Sequence, residues 1–141
     1  MQTSLDIAER REQMAREDLI ARTLKRDQIQ LQLDAAYRRL HGMEQDIRES
    51  VGKGIPLDKI LITINYIPII EELIDNLESG LKAAEQEVEE ARRILLERVK
   101  ETRTLRKLRE KEWMIYLAEW NREEQKIIDE IAITRYARKK S

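Results

Sequence analysis

Few residues in this chain are of the types that carry catalytic or metal-binding chemistry. The 141 residues include no cysteine and a single histidine, His41. Nucleophilic catalysis needs a nucleophile beside a positioned base, and a lone histidine in a helix is most often a surface residue. The stretch Gly52-Lys53-Gly54 lacks the remaining spacing of a phosphate-binding loop. We therefore predict no catalytic residue, no bound metal and no cofactor, and expect that the protein is not an enzyme.

The composition favours long helices. Charged residues make up 39% of the chain, which has four glycines, two prolines and no phenylalanine. Such usage is typical of a coiled coil or long helix rather than a compact globule. The most apolar window, residues 55–70, contains two prolines and is shorter than the roughly 20 apolar residues of a membrane span. The first residues contain no apolar signal core. We therefore expect no transmembrane segment.

Charge is unevenly distributed along the chain, although the net charge is only −1. Residues 71–90 contain eight acids and one base, whereas residues 98–111 contain seven bases and two acids. The basic run could bind phosphate, but proteins that read nucleic acids generally add aromatic residues or a docking fold. The run contains neither. A protein partner with an acidic surface is the favoured interpretation.

The first half of the chain carries a heptad pattern. Fourteen positions between Leu5 and Ser50 alternate steps of three and four, and ten of them are apolar. A sustained pattern of this kind predicts one helix, from about residue 4 to 50, with a single apolar seam. The strongest part of the seam consists of Leu33, Ala36, Leu40, Met43 and Ile47.

A turn and a second helix follow. Gly52, Gly54 and Pro56 end the first helix and predict a turn over 51–56. The second helix should run from about 57 to 137, and Pro68 predicts a kink or a short break near 64–67. With a break, residues 57–67 would form a separate short helix. The clear part of the second seam consists of Ile74, Leu77, Leu81, Ala84, Val88, Ala91 and Leu95; a shifted register, interpreted as a stutter, holds Trp113, Leu117, Trp120, Ile127 and Ile131.

The two helices are each other's simplest partners. Pairing about residue 54 sets Leu40 near position 68 and Leu5 near position 103. The paired shaft would then be roughly 70 Å long, and roughly 35 residues of the second helix would extend beyond it. The predicted fold is all-α: a single-domain, antiparallel two-stranded coiled-coil hairpin with a long C-terminal helix overhang.

Two groups of apolar residues exceed what one seam can bury. Seven of the ten residues in "LITINYIPII", 61–70, are Leu, Ile or Tyr. Either a folded-back segment covers the surplus, or it forms an exposed patch for a partner, which we favour. Trp113 and Trp120 lie seven residues apart on one helix face. They either pack on the start of the first helix, near Met1–Leu5, or anchor a partner.

Several stretches resemble the FliJ family, the coiled-coil stalk proteins of the flagellar type III export apparatus. They are "ERREQMAREDLIART", "INYIPIIEELIDNLESGLKAAEQEV", "RTLRKLREKE" and "EEQKIIDEIAITRYARKK". The Asn65-Tyr66 pair and the segment 129–132 are the specific elements. The chain departs from the family by lacking a short Lys/Phe-rich lead and by carrying Pro68 just after Asn65-Tyr66.

The resemblance implies a hairpin similar to the central stalk of rotary ATPases. Its two termini would enter the pore of the hexameric export ATPase, FliI, and its turn end would meet the export-gate membrane protein, FlhA. Export chaperones are further implied partners, and the implied location is the cytoplasm, peripheral to the cytoplasmic face of the cell membrane. Counting from Asn65-Tyr66, the residues expected to dock on the gate are Ile69, Leu73 and Asn76. The residues expected to contact the ATPase ring are Arg103, Arg106, Lys107, Arg109, Trp113 and Trp120.

Two other classes of protein fit parts of the pattern. A structural coiled-coil adaptor would homo-dimerise in a concentration-dependent manner and leave the ATPase unaffected. A helical nucleic-acid-binding protein would retain DNA in a salt-sensitive way, and would lose it when Arg106, Lys107 and Arg109 are neutralised. A vacuolar-type ATPase stalk would need a globular insertion between the helices, for which residues 51–58 leave no room.

Overall fold

The computed structural model describes residues 3–140 of the chain, with side chains from 3 to 139. It contains two helices, α1 (Ser4–Gly52) and α2 (Leu57–Lys140). The two helices pack against each other as an antiparallel hairpin, and residues 3–140 include no strand. The predicted fold class, an all-α coiled-coil hairpin, is therefore confirmed.

Side chains of the first turn cap the start of α1. The Asp6 N–H donates to Thr3 Oγ1 at 3.2 Å, and the Thr3 N–H donates to Asp6 Oδ2 at 3.3 Å. Each residue thus satisfies a backbone donor of the other, in the manner of a capping box. The Asp6 carboxylate also lies near the positive end of the helix dipole, which favours its charge.

The connection between the helices is a Schellman turn. The Ile55 N–H donates to the Ser50 carbonyl at 3.0 Å, and the Gly54 N–H donates to the Val51 carbonyl at 3.1 Å. This pairing requires a left-handed residue, and Gly54 supplies it with φ 70°. Pro56 then begins the next helix, its carbonyl accepting from the Lys59 N–H at 3.1 Å. Gly54 and Pro56, two of the three residues that predict the turn, therefore each have a backbone reason, whereas Gly52 is the last residue of α1.

Residues 12–97 form one compact unit, in which α1 and α2 share one apolar seam. Its core cluster consists of Leu33, Ala36, Ile70 and Ile74, with Leu40, Met43, Tyr66, Leu77 and Leu81 packed against it. Every seam position that the heptad pattern predicts in this stretch of α1 is buried or half-buried. Most stability of the two helices comes from this burial, since isolated helices are marginal in water.

Among the described residues, 3–11 and 98–140 form the second compact unit. Its small core contains Leu5, Ala8 and Thr102, all buried. The Thr102 hydroxyl donates to the Arg98 carbonyl one turn earlier, at 2.9 Å, so this buried polar group is satisfied. Arg106 pairs with Glu9 at 3.3 Å beside this core.

The observed register differs from the predicted one by one residue. In each unit the seam positions of α2 mirror those of α1 about residue 55 rather than 54: Ala36 corresponds to Ile74, and Ala8 to Thr102. The Schellman turn places the point about which the two helices mirror each other between Gly54 and Pro56. Leu5 accordingly lies at the level of Leu105, not of residue 103.

Pro68 does not interrupt α2, which is one helix from Leu57 to Lys140. The interpretation of residues 57–67 as a separate short helix is therefore wrong. A proline removes only its own bond to the carbonyl one turn earlier, here that of Ile64. Pro68 itself is exposed, while Ile67 and Ile70 on the same turn contribute to the seam and hold the helix in place.

Candidate functional site

One apolar patch lies on the outer face of α2 near the turn. Ile62 is 80% exposed, Ile69 55% and Leu73 43%, and Asn76 is exposed on the next turn. Their spacings of seven, four and three residues place all four on one side of the helix. We call these four residues the docking patch. It contains each of the residues that the sequence assigns to gate docking, together with Ile62.

The apolar residues around Pro68 therefore divide between two faces. Ile70 is 1% exposed and belongs to the seam, whereas Ile69, its neighbour in sequence, faces solvent. No part of residues 3–139 folds back over the docking patch, because its three apolar side chains remain exposed. The exposed-patch alternative describes the structure, and binding by this patch stays a prediction.

An aromatic contact fixes the border of the patch. Tyr66 is half-buried between the patch and the seam. The Arg39 guanidinium lies 5.1 Å from the centroid of the Tyr66 ring, and its Nη2 donates to the Tyr66 hydroxyl at 3.4 Å. On the other edge of the hairpin, the Tyr37 hydroxyl donates to the Glu78 carboxylate. The Arg39–Tyr66 contact joins α1 to α2 one turn before Ile69, at the border of the patch.

The acidic stretch is paired at one end only. Glu87 accepts from Arg22 at 3.2 Å and from Lys25 at 3.5 Å. Hydrogen bonding from Arg93 holds the pKa of Glu90 below its usual range. Within residues 3–139, by contrast, Glu72 and Asp75 beside the docking patch form no ion pair. The patch is thus flanked by uncompensated negative charge.

Further exposed surface lies along the C-terminal part of α2. Every residue from 106 to 139 is exposed, and we call this segment the bare stretch. Trp113 and Trp120 are 59% and 60% exposed. The Trp113 ring stacks on that of Tyr116, with centroids 5.6 Å apart and planes at 23°. Neither tryptophan is buried by residues 3–5 of α1, and Met1 and Gln2 of the packing alternative lie outside the described residues.

The basic residues assigned to ring contact do not form one group. Arg103, Arg106, Lys107 and Arg109 are all exposed. Arg106 is tied to Glu9, whereas Arg103, Lys107 and Arg109 have no ion pair within residues 3–139. Spacings of four and seven put Arg109 on the side of Trp113 and Trp120. Arg103 and Lys107, four apart, share a different side.

Sequence reasoning missed several exposed apolar side chains of this region, among them three consecutive ones, Met114, Ile115 and Tyr116. They belong to the run "WMIYL", residues 113–117. A heptad reading keeps Trp113 and Leu117 and discards the residues between them. The signal that could have found them is the run itself, because five consecutive large apolar residues do not fit a helix with a polar face.

Neither a metal site nor a membrane-spanning helix is found in the part of the chain that the structure describes. Among residues 3–139, no three or more His, Cys, Asp or Glu side chains gather where they could hold a metal ion. No helix over the described part of the chain is long and apolar enough to cross a membrane.

The fold and its two exposed surfaces define a class of protein: a helical hairpin that presents apolar residues near its turn and along one bare helix. The family described as Flagellar FliJ protein matches residues 1–141. Because the match covers the whole chain, the protein belongs to the FliJ family and is a component of flagellar, type III protein export.

Comparison with curated proteins gives no match. A solved structure described as a YscO homolog, CT670, from Chlamydia trachomatis is 28% identical to this chain. The similarity covers 91% of this chain and 83% of the other, with a TM-score of 0.46.

Proposed function

We propose that this protein is the stalk that connects the flagellar export ATPase to the export gate. The observation that carries the proposal is the bare stretch, residues 106–139, in which every residue is exposed and which presents large apolar and basic side chains to solvent. A helix in that state is poorly stabilised in water. Inserting this segment into a partner would bury its apolar side chains and stabilise the helix.

The partner at this end is the hexameric ATPase, FliI. Trp113 and Trp120 supply large apolar contacts of the kind that dominate protein interfaces. Arg103, Lys107 and Arg109 supply charge, which favours capture and orientation more than tight binding. The stalk promotes assembly of the ring only if it binds the ring more tightly than the monomer, since only differential affinity shifts an equilibrium. ATP hydrolysis then rises without chemistry from the stalk itself.

The partner at the turn end is the export gate, FlhA. Ile69 and Leu73 are exposed on one face with Asn76 beside them. Exposed apolar patches on a monomer mark interaction sites. The Tyr66–Arg39 border and the acids Glu72 and Asp75 would orient the partner on this face.

Location and client handling follow from these two contacts. The protein acts in the cytoplasm and sits peripherally at the cytoplasmic face of the cell membrane while it is docked on the gate. Export chaperones are the third class of partner. A stalk that binds both machines transmits the state of the ATPase to the gate and takes part in returning emptied chaperones.

The gate contact is tested by Ile69→Ala combined with Leu73→Ala. Binding to the cytoplasmic domain of the gate protein, measured by calorimetry, should weaken about tenfold or more, because two exposed anchors are truncated. Thermal melting of the hairpin should stay nearly unchanged. A matched control is Leu31→Ala, which truncates a similarly exposed side chain on α1. Unaltered gate binding by the double variant would remove the patch from the mechanism.

The ATPase contact is tested by truncation and by charge reversal. A chain ending at Leu108 keeps both seams but lacks the tryptophans, and it should lose stimulation of ATP hydrolysis. Reversal of Arg103 and Arg109 to Glu should weaken stimulation in a salt-dependent way. Arg106→Glu tests a different effect, because it also breaks the pair with Glu9. If the truncated chain stimulates as well as the full one, the bare stretch has no part in stimulation.

A further inference from the structure

The bare stretch contains two zones with different distributions of apolar side chains. The first is the run Trp113, Met114, Ile115, Tyr116 and Leu117, in which every side chain is between 39% and 70% exposed. Successive residues of an α-helix are about 100° apart, so five in a row point in directions that surround the axis. At this level the helix has no polar side. We call residues 113–117 the girdle.

The second zone, residues 118–131, is one-sided, because its large apolar side chains lie within about 100° of one another around the axis. Trp120, Ile127 and Ile131 are separated by seven and four residues and share one side of α2. Arg122 and Asp129 lie on the opposite side, about half a turn away. We call the three apolar residues the stripe. Trp113 and Leu117 of the girdle lie on the same side of α2 as the stripe, whereas Met114 and Ile115 lie on other sides.

A partner that touches one side of the helix leaves the girdle largely exposed. The apolar face of an amphipathic helix that packs on one neighbour spans a little over 100°. A single helix or flat surface placed on the stripe would cover Trp113, Tyr116 and Leu117. It would leave Met114 and Ile115 in water, at 70% and 51% exposure. Burial of all five side chains requires a partner that encloses the helix.

A second copy of this chain fits the stripe poorly. An antiparallel pair with Trp113 opposite Ile131 would bring Arg109 opposite Arg135 and Arg106 opposite Arg138. Like charges across an interface are unfavourable. A parallel pair would set every basic residue beside its own copy. Like charges therefore disfavour self-association along this face in these two arrangements.

We propose that the girdle is held by a closed apolar collar built from several copies of one partner, the pore of the export ATPase ring. This inference rests on the proposed function and adds the level and the chemistry of the contact. The girdle offers apolar surface in every direction, so each subunit around the collar meets the same kind of side chain. The stripe offers it in one direction only, so one or two subunits at a time contact Trp120, Ile127 and Ile131.

The two zones therefore have different effects on the ring. The girdle centres the helix in the pore without selecting a subunit. Over residues 118–131 the stripe makes the subunits unequal, because the remaining ones face charged residues such as Arg122 and Asp129. A change that removes girdle residues should lower affinity for the assembled ring. A change that removes stripe residues should also reduce the difference between subunits.

Cysteine accessibility tests enclosure directly. The chain has no cysteine, so a variant such as Met114→Cys or Ile115→Cys carries one thiol. Full-length variants are mixed with the ATPase, assembled by a non-hydrolysable ATP analogue, and the rate of maleimide labelling is followed by mass spectrometry. The collar should slow labelling at both positions about tenfold or more, as much as at Leu117→Cys. Leu31→Cys, exposed on α1, is the control and should react at the same rate with and without the ring.

A matched pair of substitutions tests the level of the contact. Ile115 and Ile133 lie about five full turns apart, so they point the same way, and both are more than half exposed. Ile115→Gln should weaken binding to the assembled ring about tenfold, the effect of leaving one large apolar side chain uncovered. Ile133→Gln should change it less than about twofold if the collar is confined to the girdle. Glutamine is a good helix former, so both variants keep the helix.

The possible results separate this inference from the proposed function. If the full chain stimulates the ATPase but the thiols at 114 and 115 stay reactive, the collar is wrong and the stalk stands. Equal losses for Ile115→Gln and Ile133→Gln would also overturn the girdle as the gripped level. If the full chain neither binds nor stimulates the assembled ATPase, the proposed function and the collar are both refuted.

Discussion

Ile69 and Ile70 are the same residue type at adjacent positions of α2, yet they face different surroundings. Ile69 is 55% exposed on the docking patch, and Ile70 is 1% exposed in the core cluster with Leu33, Ala36 and Ile74. We predict that Ile70→Ala greatly lowers the free energy of unfolding and that Ile69→Ala barely changes it. The pair is matched in chemistry, helix position and helix propensity, so their difference reports burial alone.

The magnitude follows from the buried surface. Ile→Ala removes three carbon groups, each worth about 0.8 kcal/mol when fully buried. For Ile70 this gives about 2.4 kcal/mol, and the cavity term raises the range to about 2–5 kcal/mol. The lower half of that range is expected, because a two-helix seam lets neighbours and water close on the gap. For Ile69 less than half of the burial term applies, because the side chain is 55% exposed. The better helix propensity of alanine offsets a few tenths of a kcal/mol of this loss. The net loss at Ile69 should be below about 1 kcal/mol.

The assay is urea denaturation followed by far-UV circular dichroism, on the wild type and both alanine variants. Ile70→Val is a graded control and should lose about 0.5–1.5 kcal/mol, since it removes a single buried methyl group. Each midpoint should be independent of protein concentration, as expected when folding does not require a second copy.

Equal losses at the two positions would refute the reasoning. A large loss for Ile69→Ala would mean that this side chain is buried in solution, by a second chain or by a different register of α2. A negligible loss for Ile70→Ala would mean that the seam about residue 55 is not the one that stabilises the hairpin. A urea midpoint that rises with protein concentration would favour the alternative of a homo-dimeric coiled-coil adaptor.

Three further results are expected from the turn, the small core and the charged surface. Gly54→Ala should lower the free energy of unfolding, measured by urea denaturation, by about 1–2 kcal/mol, because a φ of 70° is unfavourable for any residue with a Cβ. Gly52→Ala, inside α1, should instead raise it by up to about 1 kcal/mol. Similar effects at both positions would contradict the Schellman turn. Thr102→Val should change the free energy of unfolding by less than about 1 kcal/mol, because the hydroxyl that it removes bonds only the Arg98 carbonyl. Thr102→Ser should lower the free energy of unfolding by about 1 kcal/mol, because it removes a buried methyl group. The hydrogen bond from Arg93 lowers the pKa of Glu90. The small contribution of this bond to stability is therefore present above the unfolded-state pKa of Glu90 and is lost as the pH falls through its folded-state pKa. Arg93→Gln should raise the pKa of Glu90 in an NMR titration of the carboxyl carbon, and an unchanged pKa would show that Arg93 is not the cause.

The sequence by itself determined the hairpin. The heptad pattern from Leu5 to Ser50 needs an apolar partner along its whole length, and the glycine and proline residues at 52–56 permit one reversal of direction. Every one of the fourteen predicted seam positions in α1 is buried or half-buried. A periodic pattern is readable because it depends only on the repeat of the helix, which is the same in any sequence. The docking patch could be anticipated for a related reason, since its apolar residues outnumber the places on one seam.

Only the tertiary structure decided which side chains of each apolar group are covered. Ile69 and Ile70 are equivalent in sequence, and the packing of α1 against Ile70 alone separates them. The structure also shows that the seams mirror each other about residue 55, that α2 is continuous through Pro68 and that Arg106 pairs with Glu9. Met114 and Ile115, which a heptad reading passes over, are exposed. The physical reason is that periodicity gives the direction of a side chain from its own helix axis, whereas its burial depends on the position of a second helix that the local pattern does not contain.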